Sequence, residues 1–216
     1  MDDIVRQSPV RFDAVAVETE MRACWKVVRR YEEEGQGPHL VDLSHLPRWH
    51  LQDSDPSRFR PCDVDIPELP GTCSLQNGVL VNRMNSTQAS IWQLASEPVP
   101  MPVDSAFTDV TEAAGFLALV GPCVFSIAEK LTALDFLDPG KTVPFLLQGP
   151  ICRVSCQSVV MDRSPDGAGC LLFAFPRGYG RDLVDSVLTA GAEFGLCPAG
   201  ENAFREGLKE DRKSVV

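Results

Sequence analysis

Apolar residues recur at helical spacing most clearly within residues 181–210. Leu183, Val184, Val187, Leu188 and Phe194 form one stripe there, with Asp182, Asp185, Ser186 and Thr189 mainly off it. Gly195 directly follows the stripe and suits the left-handed residue that ends a helix, and Gly200 opens a second, more polar segment. A second helical pattern covers residues 20–34, where Met21, Cys24, Trp25, Val28 and Tyr31 fall near one face before Gly35 and Gly37 stop it. A third places Val124, Phe125, Ile127, Ala128 and Leu131 together after a strand at 115–120, with Pro122 in the first turn, where no backbone donor is lost.

Alternating or continuous short apolar runs predict strands at 11–17, 39–51, 72–75, 78–84, 90–94, 108–111, 115–120, 151–161 and 170–175. Pro47 interrupts the second of these and implies an edge or a bulge. Asn77-Gly78 is a hairpin turn, and residues 164–169, SPDGAG, join the last two strands. Residues 53–71 scatter their apolar positions among Asp, Pro and Ser and read as a long irregular connection with one short helical turn around Ser57. Pro98, Pro100 and Pro102 cannot pair inside a sheet and mark a boundary. The reading is therefore α+β: an N-terminal half at 1–97, a Pro-rich linker at 98–105, a C-terminal half at 106–210 and a loose tail at 211–216. Each half is a small open, mainly antiparallel sheet with helices packed on one face.

Composition narrows the function classes. A chain of 216 residues with 44% hydrophobic residues buries a real core. The net charge of -10, without any Lys/Arg cluster, argues against nucleic acid. No run is long enough to span a bilayer and no secretory signal opens the chain, so a cytoplasmic location is expected. Eight cysteines stand out, but no Cys-x-x-Cys pair occurs among them. Cys152 and Cys156, placed on one strand, would lie about 13 Å apart on a common face, too far for one metal. Buried structural thiols are the expected role, with no metal.

Asp42, Ser44, His45 and His50 form the one local cluster of reactive types. Neighbours along a single strand cannot wrap into a Ser–His–Asp triad, so the Asp and Ser side chains are expected to tie down backbone. The glycines of 164–169 join two strands and face no helix N-terminus, which removes the phosphate-cradle reading. Trp49 and Trp92 fit either a core or an interface.

Three stretches carry a family resemblance. AGAEFGLCPAG at 190–200, followed by AFREGLKE, resembles the end of the folate-binding region of glycine-cleavage T-proteins (aminomethyltransferases). LVDLSHLPRW at 40–49 resembles that region's early strand, and GFLALVGPCVFSIAEKLTALDF at 115–136 its strand–Gly-Pro–helix unit. The resemblance implies the folate-binding fold without the family's C-terminal barrel.

It also exposes two departures. The stretch NGVLVNRMNSTQASIW, residues 77–92, puts Val81 and Asn82 where the family's acidic pair belongs. DGAGCLLF, from Asp166, lacks the family's pterin-gripping glutamate. Scaffold without folate acids resembles the gamma subunit of heterotetrameric sarcosine oxidase. That resemblance implies a non-catalytic subunit with no cofactor of its own. Its partners would be larger alpha and beta subunits carrying FAD, FMN and NAD, with tetrahydrofolate bound by alpha, and a small zinc-binding delta subunit. Asp42, Ser44, His45, Arg48, Trp49, Asn82, Trp92 and Asp166 are the candidate interface or residual ligand-site residues. A free-standing tetrahydrofolate-binding protein of the same superfamily is the alternative. A redox thiol protein, suggested by the cysteines alone, is a third reading.

Overall fold

The apolar run at 115–120 forms β9 (Ala114–Gly121), a central strand buried on both faces. The computed structural model describes residues 5–95, 97, 99–100 and 103–211. Pro98, Pro102 and residues 212–216 of the expected tail lie outside the described residues. Alternate residues of β9 face two different cores. Leu117 and Leu119 face one, and Phe116, Ala118 and Val120 the other. This explains a continuous apolar stretch where a half-exposed strand would alternate.

β9 belongs to a six-stranded sheet of order β10-β11-β12-β9-β3-β13. The other strands are β3 (His39–Asp42), β10 (Phe145–Ile151), β11 (Val154–Arg163), β12 (Gly169–Pro176) and β13 (Cys197–Ala199). All pairings are antiparallel except β13 on β3. Helices α1 (Val124–Glu129) and α2 (Gly180–Gly191) cover one face, burying Val124, Ile127, Leu183, Val184 and Val187 against Leu119, Leu171 and Phe173. Gly195 takes the left-handed conformation expected after the stripe (φ 73). Helix α3 (Glu201–Asp211) lies against the opposite face, where Phe204 packs with Val41, Phe116 and Ala118.

A second, five-stranded antiparallel sheet has the order β5-β6-β7-β4-β8. It comprises β4 (Arg48–Gln52), β5 (Cys73–Gln76), β6 (Val79–Arg83), β7 (Gln88–Gln93) and β8 (Phe107–Asp109). Its inner face, with Leu80 and Trp92, meets the six-stranded sheet. Its outer face, with Trp49, Leu51, Val81 and Ile91, is capped by Val64 and Ile66 from the irregular stretch 53–71. Asn77 and Gly78, both at positive φ (50 and 75), make the expected hairpin turn. The halves exchange strands: β3 sits in the later half's sheet and β8 in the earlier half's.

Four local expectations are corrected. Residues 20–34 form no helix but a hairpin, β1 (Ala16–Arg22) and β2 (Trp25–Tyr31), turning at Ala23 and Cys24 with positive φ. Trp25, Val27 and Tyr31 point inward at alternate positions, a period of two hidden beneath a pattern of three and four. The strand expected at 11–17 is displaced into β1. The stretch 39–51 is two strands in different sheets, broken where the backbone turns at 43–47, ahead of β4. Lastly, Cys152 lies in the turn between β10 and β11 at φ 48, so it shares no strand face with Cys156.

Candidate functional site

The crossing from β3 to β4 places Arg48 at the seam between the sheets, 1% exposed. Its guanidinium donates to the carbonyls of Leu46 (2.8 Å), Thr111 (2.7 Å) and Ala114 (2.9 Å). The plane also lies 4.8 Å from the centroid of Phe116, on which Trp92 packs edge-on at 4.9 Å. Burial pushes the Arg48 pKa down to about 9, against the pull of Asp42 and Asp109. Arg48 therefore stays charged at neutral pH, neutralised by carbonyl dipoles in place of a contacting carboxylate. Its Nε has no hydrogen-bond partner.

Two residues along the same face of β4 stands His50. Gln157 on β11 approaches it, with Gln157 Nε2 3.4 Å from His50 Nε2. The Gln157 amide oxygen is buried without a partner. Across the sheet, His50 is in register with Ser90 and Ser90 with Asn82. Asn82 donates to Ser90 Oγ (3.3 Å) and leaves its own oxygen unpartnered. Beside these groups a cavity of about 390 Å³ opens between the sheets, lined by Arg48, His50, Trp92, Gln148, Gln157 and Phe175 among others; among the described residues no Asp or Glu lines it.

Burial and the Arg48 charge both push the His50 pKa below its ordinary 6.5. A histidine whose folded value is depressed loses stabilisation as pH falls below the unfolded value, because the unfolded chain takes the proton first. The His50 ring signal in a proton NMR titration is expected to have a midpoint below 6.5. His50→Gln is expected to flatten the loss of stability below pH 6.5; an unchanged slope would refute the assignment.

The other sequence candidates lie elsewhere. Asp42 accepts from Ser8 Oγ (2.6 Å) and from the Ser44 N–H (2.9 Å). The Ser44 hydroxyl accepts from the Phe116 N–H (3.1 Å). Both tie down backbone as expected, and no triad forms. Trp49 and Trp92 are 3% and 1% exposed, so both are core residues and not exposed interface candidates. Asp166 sits on the exposed β11–β12 hairpin, where its carboxylate accepts from the Ala168 N–H (3.2 Å). Leu171, on β12, is buried against the helices.

His45 leads to a group that the sequence reading missed. Glu201, in the first turn of α3, is 1% exposed and meets Arg22 from β1, Arg205 from α3 and His45 from the turn at 43–47. Arg22 reaches its two oxygens at 3.0 and 2.8 Å, Arg205 donates at 3.0 and 2.5 Å, and His45 Nε2 lies 3.5 Å away. Burial alone would raise the Glu201 pKa, but His45, Arg22 and Arg205 outweigh it and hold the carboxyl well below the usual range. This network fastens the β1–β2 hairpin to α3. Its one sequence signal is an acid opening a helix, a position the helix dipole favours in any protein.

Burial disfavours the thiolate at five of the cysteines. Burial pushes Cys73 up to about 12 and Cys156 up to about 11, and it also raises Cys62, Cys152 and Cys197. Among the described residues no group of three His, Cys, Asp or Glu side chains is placed to hold a metal ion. No described helix is long and apolar enough to cross a membrane.

No family model matches the chain, and no curated protein matches it. Solved structures do. One chain of the heterotetrameric sarcosine oxidase from Corynebacterium sp. U-96, in complex with pyrrole 2-carboxylate, superposes with a TM-score of 0.58 at 14% identity, over 74% of this chain and 88% of that one. Aminomethyltransferase T of the glycine cleavage system from Bartonella henselae superposes with a TM-score of 0.57 at 15% identity, over 88% of this chain. This chain spans 57% of that protein's length. The α+β fold is thus the one shared by these two proteins, as the three sequence stretches imply.

Proposed function

We propose that this chain is a non-catalytic, gamma-type subunit of a sarcosine oxidase-like complex. Such a complex oxidatively demethylates an N-methyl amine and passes the one-carbon unit to tetrahydrofolate. The observation that carries the reading is the fold likeness to most of one chain of a heterotetrameric sarcosine oxidase, joined to a cavity that no Asp or Glu lines among the described residues. Flavin and NAD chemistry, folate transfer and a zinc site would then belong to the partner subunits.

The cavity's own chemistry supports this division of labour. A tetrahydrofolate pterin presents several N–H donors, and a carboxylate is the group that pairs with them and moves a proton at the reacting nitrogen. The cavity between the sheets offers an imidazole, two glutamine amides and a guanidinium committed to backbone carbonyls. These residues do not fit a folate site that performs transfer.

The test is purification of the tagged full chain from its native cells, followed by a visible absorption spectrum. Larger co-purifying chains with a flavin spectrum are the expected result. A lone colourless protein that binds tetrahydrofolate would favour the free-standing folate protein and overturn the subunit reading.

A further inference from the structure

A small cavity lies where the β1–β2 hairpin meets the edge of the six-stranded sheet. Trp25 and Tyr31 of β2 stand on one side of it, and Ser8, Asp42 of β3 and His45 on the other. Its volume is about 30 Å³. A water molecule's share of the liquid is about 30 Å³, whereas a cavity that takes up benzene measures about 150 Å³. Organic ligands are therefore too large for it.

The polar groups around this space are unequally satisfied. Trp25 is 2% exposed, and its indole N–H is shut from bulk solvent with no hydrogen-bond partner among the described residues. An indole nitrogen only donates, and native structures seldom leave such a buried donor unmet. Across the cavity, the Asp42 carboxylate accepts one bond at each oxygen, from Ser8 Oγ (2.6 Å) and from the Ser44 N–H (2.9 Å). A carboxylate carries about four acceptor sites, so further capacity remains. Burial, then the charges of Asp42 and Glu34, push the Tyr31 phenol pKa up, so this wall too lies in the field of Asp42.

We infer that an ordered water occupies this cavity, accepting from the Trp25 indole N–H and donating to the Asp42 carboxylate, and so couples the N-terminal hairpin to β3. The two groups select that occupant. A metal cation, or the ammonium of Lys26 at the cavity wall, would suit Asp42 but would face the indole hydrogen. A halide would suit the indole but would sit against a carboxylate. His45 does not change the choice, because its Nε2 is turned to Arg22 (3.2 Å) and Glu201 (3.5 Å). A group that both accepts and donates meets both walls, and at this size that group is water. The Glu201 network thus fastens the hairpin through charge, and the water fastens it through hydrogen bonds to Asp42.

The test is water-selective proton NMR on the full-length chain with ¹⁵N-labelled tryptophan, Trp25→Phe assigning the indole signal. The Trp25 indole proton is expected to show a cross-peak to water with opposite signs in NOE and ROE spectra, as for a water that tumbles with the protein. No cross-peak, or equal signs from proton exchange with bulk solvent, would overturn the site. An indole shift that follows chloride at constant ionic strength would assign an ion to the cavity and also overturn it. These spectra need no variant beyond the assignment. A double-mutant cycle then joins Trp25→Phe to Asp42→Asn in urea unfolding. The two side chains share no direct hydrogen bond, so a bridging water predicts non-additivity of at least about twofold in the unfolding equilibrium constant. Additive effects would refute the coupling.

Discussion

Glu201→Gln is expected to destabilise the protein by about 3 kcal/mol, read as a fall in the urea midpoint and a drop of roughly 10 °C in melting temperature. The substitution keeps the shape of the side chain but removes the charge on which Arg22, Arg205 and His45 converge. Removing one partner from a buried ionic cluster leaves the others desolvated without compensation, which costs about 3–5 kcal/mol. The lower end applies because Arg22 and Arg205 keep 22% and 15% of their side-chain surface in solvent.

The same carboxylate sets an acid limit. Its folded pKa is depressed below the ordinary 4.5, so its contribution is fully present above that value. It is lost progressively as pH falls from there toward the folded value. Wild type should therefore lose stability steeply below about pH 4.5 and the variant less so, in paired urea titrations across pH 2.5–7. Equal slopes would mean that the cluster is solvated and weak.

Arg48→Ala is expected to cost about 5 kcal/mol and to lower the yield of folded protein. It opens a void beside Phe116 and strips donors from the carbonyls of Leu46, Thr111 and Ala114 at the seam between the sheets. Arg48→Met separates these effects, since methionine refills much of the volume but donates nothing. A residual cost of about 2 kcal/mol is expected for methionine, because buried carbonyls without donors keep their desolvation penalty. Arg48→Lys should not rescue, as one ammonium cannot reproduce a planar fork bonded in several directions. Full stability in Arg48→Met would show that the guanidinium contributes volume alone.

Legibility differed along the chain for physical reasons. The strand 115–120, the turn at Asn77-Gly78 and the left-handed Gly195 beyond α2 were readable because each depends on a period or a backbone conformation that local residues impose. Residues 20–34 suggest a helix because Met21, Cys24, Trp25, Val28 and Tyr31 satisfy helical spacing, but Trp25, Val27 and Tyr31 also satisfy strand spacing and a hairpin forms. Packing against α3 and β13 selects between them, and those elements lie far along the chain. Asp42 and Ser44 could be assigned to backbone anchoring from their residue types alone, and hydrogen bonds to Ser8, the Ser44 N–H and the Phe116 N–H bear that out.

By itself the sequence determined the fold class, the exclusion of a local triad and the lack of any Asp or Glu at residues 77–92, since each follows from residue identity or short-range spacing. Tertiary structure alone decided that Arg48 is a buried structural cation, that His50 meets Gln157 beside a cavity, and that Glu201 holds the N-terminal hairpin. His50 and Gln157 stand 107 positions apart and Arg22 and Glu201 stand 179 apart. No local period encodes such pairs. They exist because strands exchanged between two sheets bring distant residues into one low-dielectric seam, where a charge must find its partner or go unmet.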